Sequence, residues 1–269
     1  MIDHRPNTTV LALLTTLAFL TFPAEAALAW NESSKLTASD PAEDDHFGHS
    51  VSLSGSYAAI GARRDDNEHG RDAGSAYIFE HSGGCWPQAA KLTAGDGAAG
   101  DWFGYSVSLS GNYAIVGAPE SYDNGQMTGA AYVFARSDGS WSEVARLIAD
   151  DGGDYDYFGR DVFMDGDYAV VGALYDDDNG TNSGSAYIFQ QSGGTWSQVA
   201  KLVASDNDRL DNFGCSVSLS DGYAIVGAIN DDDHVDDSGS AYVFVIPEPS
   251  IFALLFMGAV GLLVWRFRK

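Results

Sequence analysis

The sequence predicts an all-β protein, a β-propeller of four four-stranded blades. Three observations predict it. A unit of about 55 residues recurs four times along the chain. Each unit breaks into short segments joined by Gly-containing tight turns. The composition, 45% hydrophobic with 31 Gly, 13 Tyr and 14 Phe in 269 residues, suits a folded body rich in strands and turns and does not suit disorder.

The elements follow in register. Phe-Gly stands at 47–48, 103–104, 158–159 and 213–214, and Gly-Ala follows 14 residues later each time, at 61–62, 117–118, 172–173 and 227–228. Between them, an alternating segment such as Tyr105–Ser110 reads as a half-buried first strand. A tight turn at Gly111, Asp165-Gly166 or Asp221-Gly222 leads into a second strand such as Tyr113–Gly117, a strong hairpin signal. The third strand is Gly74–Phe79, Gly129–Phe134, Gly184–Phe189 and Gly239–Phe244. A second turn, as at Ser192–Gly194, returns into a fourth segment that pairs Trp with Lys or Arg five residues on: Trp86/Lys91, Trp141/Arg146 and Trp196/Lys201. Four antiparallel strands make one propeller blade.

Trp30 and Lys35-Leu36 repeat the fourth-strand pattern before any first strand has appeared, and the last unit stops after its third strand at Phe244. The economical expectation is that residues 30–37 supply the outer strand of the last blade and close the ring. Half of a larger ring made by a dimer, and an open array, are the alternatives. The expected body is then 30–244, with repeats at about 38–93, 94–148, 149–203 and 204–244 plus 30–37.

The two ends read as address rather than fold. Residues 1–29, with an apolar run from Val10 to Phe22 and small residues at Ala24, Ala26, Ala27 and Ala29, predict a signal-peptide helix, a plain membrane anchor being the alternative. Residues 245–269 run from Pro247-Glu248-Pro249 through the apolar stretch 251–265 to the basic Arg266-Phe-Arg-Lys269. The apolar stretch predicts a short transmembrane helix whose basic end stays cytoplasmic. This order closely resembles the PEP-CTERM sorting signal of Gram-negative bacteria. The resemblance implies an exosortase-type sorting enzyme as partner, processing near Pro247, Glu248 and Pro249, transient anchoring in the inner membrane, and delivery to the cell surface or an exopolysaccharide-containing matrix.

Phe-Gly, the later Gly-Ala (Gly117-Ala118-Pro119 in the second unit) and Tyr-x-Phe fall in the order of FG-GAP repeats, the blades of integrin-α-type propellers. The resemblance covers roughly residues 30–244. It departs from that type in having four blades rather than seven. The Asp-x-Asp-x-Asp-Gly calcium loop of the family belongs between Phe-Gly and Gly-Ala, where this chain has only a tight turn, so that metal site is not carried over.

The charge is extreme, 38 acids against 14 bases for a net −24. Such a surface repels nucleic acid and anionic membranes and attracts cations. The tight turns share one face of the expected blades and the longer loops the other, and most of the acids lie in those longer loops. Oxygen-rich loops suit Ca2+, and Asp176, Asp178 and Asn179, followed by Asp231 and Asp233, are the candidate ligands; a solvated acidic face is the competing reading. The six His are scattered out of register, Cys85 and Cys215 are too few for a disulfide scaffold, and no Gly-x-Ser-x-Gly elbow, His-Glu-x-x-His helix or phosphate loop occurs. No catalytic or cofactor-binding residue is assigned. The expected function is a non-enzymatic adhesion or binding module for a polysaccharide or protein ligand. A structural biofilm component without discrete ligand, and a metal-dependent glycan hydrolase, are the alternatives.

Overall fold

The computed structural model of the chain describes residues 31–232, 235 and 237–247. The expected signal and transmembrane helices, and Asp233, Glu248 and Pro249, lie outside the described residues. The chain divides into Met1–Lys35 and Leu36–Lys269. Of the first unit, residues 31–35 carry no regular structure. The second unit contains fifteen strands among the described residues.

They form four antiparallel sheets in strict chain order. The first blade is β1 (Phe47–Ser54), β2 (Tyr57–Ala62), β3 (Ser75–Glu80) and β4 (Gln88–Leu92). The second is β5 (Val107–Ser110), β6 (Tyr113–Ala118), β7 (Ala130–Ser137) and β8 (Ser140–Leu147). The third is β9 (Phe158–Asp165), β10 (Tyr168–Ala173), β11 (Ser185–Ser192) and β12 (Thr195–Leu202). The fourth is β13 (Phe213–Ser220), β14 (Tyr223–Ala228) and β15 (Ser240–Val245). The protein is thus an all-β, four-bladed propeller array, with the strand boundaries close to those the repeat predicts.

Each blade starts with a local irregularity that the Phe-Gly pair makes possible. The β1–β2 register slips between Phe47 and Ser50, with Gly48 at φ 91°. That left-handed conformation costs a glycine little. The slip points the Phe ring back onto its own blade: Phe103, 1% exposed, meets Tyr132 and Phe134 at centroid distances of 5.5 and 6.0 Å. Burying such a ring contributes about 1.5–3 kcal/mol. The second strands are apolar throughout, and in the first three blades both their faces are covered, all six residues of β2 being buried; β14 alternates exposed and buried.

The core is divided among the joints between blades. One side of the first blade (Tyr57, Ala59, Ala76, Ile78) packs with Val107, Leu109, Ala114 and Val116 of the second. The second joint pairs Ile115 and Val133 with Val162, Met164 and Ala169, and the third pairs Val170 and Ile188 with Val217, Leu219 and Ala224. Hydroxyls on the first two of the first strands accept amide hydrogens from the next, and at the third joint Val217 donates to the Asp161 carboxylate instead. Val107, Leu109 and Gly111 donate to Ser50, Ser52 and Ser54, and Val162, Met164 and Gly166 donate to Ser106, Ser108 and Ser110. The Gly of each Gly-Ala lets the blades approach. A Cβ on Gly61, Gly117 or Gly172 would collide with the carbonyl oxygen of Gly104, Gly159 or Gly214.

The last blade differs from expectation. Among the described residues it has three strands, β15 has β14 as its neighbour, and residues 31–37 form no strand. The loss is visible one blade earlier. Trp141 of β8 packs against Tyr57 and Trp196 of β12 against Tyr113, at 6.1 and 6.2 Å, but the matching Tyr168 borders an apolar cavity of about 280 Å3 lined by Ile188, Leu202, Ala224 and Phe244. At the other end Leu36 and Ala38 pack on Ile60, Tyr77 and Phe79 of the first blade. Val51 and Leu53 there are each 69% exposed, and Val243 and Val245 on the last blade are 65% and 70% exposed.

Candidate functional site

The loops that connect second to third strands, and each blade to the next, meet on one face, as expected, and a single constellation repeats there. Its centre is the Tyr of the third strand. In the first three blades the cation of the fourth strand stands directly across the ladder: Tyr77 opposite Lys91, Tyr132 opposite Arg146 and Tyr187 opposite Lys201. Cross-strand partners share a face, so ring and cation point the same way. The Lys91 and Lys201 ammoniums lie 5.3 and 5.2 Å from the Tyr77 and Tyr187 ring centroids.

Two carboxylates complete it, one from each loop. In the first blade the Tyr77 hydroxyl donates to Asp40 and Asp65 at 2.9 and 3.0 Å, while Lys91 Nζ reaches the same two at 2.7 and 2.9 Å. In the third, Tyr187 donates to Asp176 at 2.7 Å, and Lys201 Nζ lies 2.8 Å from Asp151, 3.0 Å from Asp176 and 2.5 Å from Asp178. The second blade has Ser121 where the others have the buried Asp. There the longer Arg146 spreads to Asp96 at 3.1 Å and Asp123 at 2.9 Å, and Tyr132 donates to Asp96 at 2.8 Å. In the fourth blade Tyr242 donates to Asp206 at 2.9 Å and to Asp231.

Burial first, and then the facing carboxylates, push the Tyr77, Tyr187 and Tyr242 phenols far above the ordinary tyrosine range. Burial pushes Tyr132 up to about 12. Burial also pulls the Lys201 ammonium down, but its hydrogen bonds with Asp151, Asp178 and Asp176 outweigh this and hold it above the usual lysine value. Every tyrosine is a neutral donor and every lysine a cation near neutral pH. The arrangement is a clamp between two loops and a strand, with no poised acid or base.

A second device repeats two residues before each Phe-Gly. Asp45, Asp101, Asp156 and Asp211 are all buried, and each accepts a backbone amide hydrogen from three residues back, from Ala42, Ala98, Gly153 and Asp208. Desolvation pushes Asp101 and Asp156 each up to about 6 and raises Asp211.

The candidate metal ligands therefore divide. Asp176 and Asp178 share the Lys201 ammonium, so a charge partner from the chain already stands between them. Asn179 is exposed in the following turn. Asp231 bonds Tyr242 and, with Asp206, Asp208, Asp211 and Asp232, lines an open acidic cup. Among the described residues no group of three or more His, Cys, Asp or Glu has the geometry to hold a metal ion. Cys85 and Cys215 are free thiols, one exposed and one partly buried. The sequence pattern pairs each Lys or Arg with a Trp and by itself gives no sign of the Tyr hydroxyl that the cation accompanies. The available signal was the fixed distance from Tyr77, Tyr132 and Tyr187 to a Lys or Arg, read together with the Asp in the loop before each blade.

The comparisons agree with this geometry. The FG-GAP repeat family matches residues 30–79, 86–134, 141–189 and 196–244, most of the chain, each match opening on a Trp of the fourth-strand pattern. The PEP-CTERM protein-sorting motif matches residues 245–269. No curated protein matches the chain. Four blades, the Phe-Gly and Gly-Ala joints and the sorting tail together place it: the chain belongs to the FG-GAP repeat family and is an exported, envelope-directed surface protein carrying a PEP-CTERM signal for an exosortase-type enzyme.

Proposed function

We propose that the protein is a non-enzymatic binding module of the cell surface or extracellular matrix, with its long-loop face engaging a polysaccharide or protein partner. The observation that carries this reading is the clamp. The buried acids of that face are engaged by Tyr, Lys, Arg and backbone amides, which fix the loops and leave an outer layer of exposed Asp and Glu for a ligand. Rigid loops on a β scaffold are a common setting for recognition. Calcium remains part of the proposal at the Asp206–Asp208–Asp211–Asp232 cup, whose carboxylates would have to draw together to hold it, rather than at Asp176 and Asp178, where an ion would compete with Lys201.

The test is a panel of polysaccharides and matrix proteins offered to the purified protein with and without calcium, with product analysis of every glycan. Retention without turnover supports a binding module. Cleavage of any glycan would make it a hydrolase, and no retention by any matrix component would leave a structural role.

A further inference from the structure

We propose that copies of this chain join head to tail, the bare side of the last blade in one copy receiving the first strand of the next copy. The joint inside the chain is built three times in one pattern, and the two ends of the array carry its two halves.

The donor half is β1. Val51 and Leu53 correspond to Val107 and Leu109 of β5, which are 5% and 6% exposed in the first joint; on β1 they are 69% exposed. A Cβ on Gly48 would meet nothing within 4 Å, whereas one on Gly104, Gly159 or Gly214 would collide with the carbonyl oxygen of Ser75, Ala130 or Ser185 in the preceding blade.

The acceptor half is the last blade. Ser216, Ser218 and Ser220 correspond to the hydroxyls that accept amide hydrogens at the first two joints. Tyr223, Ile225, Val243 and Val245 point to the same side and are exposed. A cleft lined by Gly227, Ala228, Gly239, Ser240 and Ala241 has the position that receives Phe103-Gly104 in the first blade, where Gly74 bridges Phe103. A chain of net charge −24 has no carboxylate on β1, β13, β14 or β15. Apolar, uncharged strand faces left bare are associating surfaces.

The occupant is a second copy rather than the chain's own first blade. Both halves are bare in one molecule. The step between blades repeats at each joint with a glycine against the next Phe-Gly carbonyl, so bringing the chain's own ends together would require these close approaches to shift. A second copy offers the matching half unchanged, and such a heterologous contact builds a two-chain ring or a filament.

The test uses the full chain in detergent. Positions 49 and 105 meet edge to face across the first joint, the His49 and Tyr105 ring centroids 4.8 Å apart, and Arg160 lies 4.4 Å over Tyr105 at the next. Position 215 should therefore meet position 49 of the next copy. His49→Cys with Cys85→Ser, treated with a short thiol-to-thiol cross-linker, should give chain-to-chain products through Cys215, as dimers or a ladder on a denaturing gel. Gly227→Ala, whose Cβ would lie 3.5 Å from Cys215 Sγ and strain nothing within the chain, should leave the melting temperature unchanged and cut the yield at least tenfold, because it blocks the incoming Gly48. A monomer cross-linked to itself, no cross-link at all, or a yield indifferent to Gly227→Ala would each overturn the proposal.

Discussion

Lys201→Met removes an ammonium shared by three carboxylates and leaves its hydrophobic stem. Asp176 is 1% exposed, so its carboxylate loses its cation in a site that water cannot re-solvate. Breaking a buried pair by deleting one partner costs about 3–5 kcal/mol. The lower end applies, because Tyr187 and the Asp178 amide still bond Asp176 and the Lys201 side chain is 21% exposed. Asp178 and Asp151 are open to solvent and add less than about 1 kcal/mol each. A loss of about 3 kcal/mol in a domain of this size lowers the melting temperature by roughly 6–12 °C. Thermal unfolding at pH 7, followed by near-ultraviolet dichroism, measures it. Adding Asp176→Asn should recover most of the loss, since the amide oxygen still accepts from Tyr187 without carrying charge. A Lys201→Met protein melting within about 2 °C of the parent would refute the reasoning.

Four further outcomes follow. Asp101 and Asp156 hold protons more tightly folded than unfolded, so stability falls as pH rises from about 4 to about 6, by up to about 3 kcal/mol each. Melting at pH 5 should exceed that at pH 7.5, and Asp156→Asn should flatten the difference; below pH 4 the Lys91 bond to Asp40, which holds that carboxyl low, is lost in turn. Gly117→Ala should destabilise the fold severely or prevent folding, since its Cβ has no room against Gly159, and expression of soluble protein reads this out. Millimolar calcium should raise the melting temperature more than magnesium does, and Asp206→Asn with Asp232→Asn should blunt the rise; an equal shift with matched sodium chloride would reduce the cup to general screening. Intact-mass measurement of the surface form should show a start between Ala27 and Trp30 and loss of residues 251–269.

The blades were legible because their signals are local. Phe-Gly, Gly-Ala and the tight turns all act within one hairpin, and strand order alone puts the long loops on one face. The clamp was not, because its members are far apart in the chain: Lys201 meets Asp151 fifty residues upstream, from the loop before its own blade. A run such as Asp176-Asp-Asp178 looks the same whether its counter-charge is a metal or a lysine from a neighbouring strand. Trp102 and Tyr157 adopt φ of 58° and 55° before the Phe-Gly pairs, a conformation their residue types do not signal. The fourth strand of the last blade was expected from a Trp-to-Leu pattern at 30–37, where residues 31–37 form no strand; a pattern makes a strand only where an edge stands beside it to pair with.

The most direct test of a long-loop binding face is retention on the native extracellular matrix, compared between charge-reversed variants of the two faces. Glu43→Lys with Asp150→Lys alters exposed acids of the long loops, and Asp138→Lys alters the exposed turn between β7 and β8 on the opposite face. The account predicts that the long-loop variant is released, that the turn variant is retained like the parent, and that both melt as the parent does. Equal retention of the two variants would contradict it.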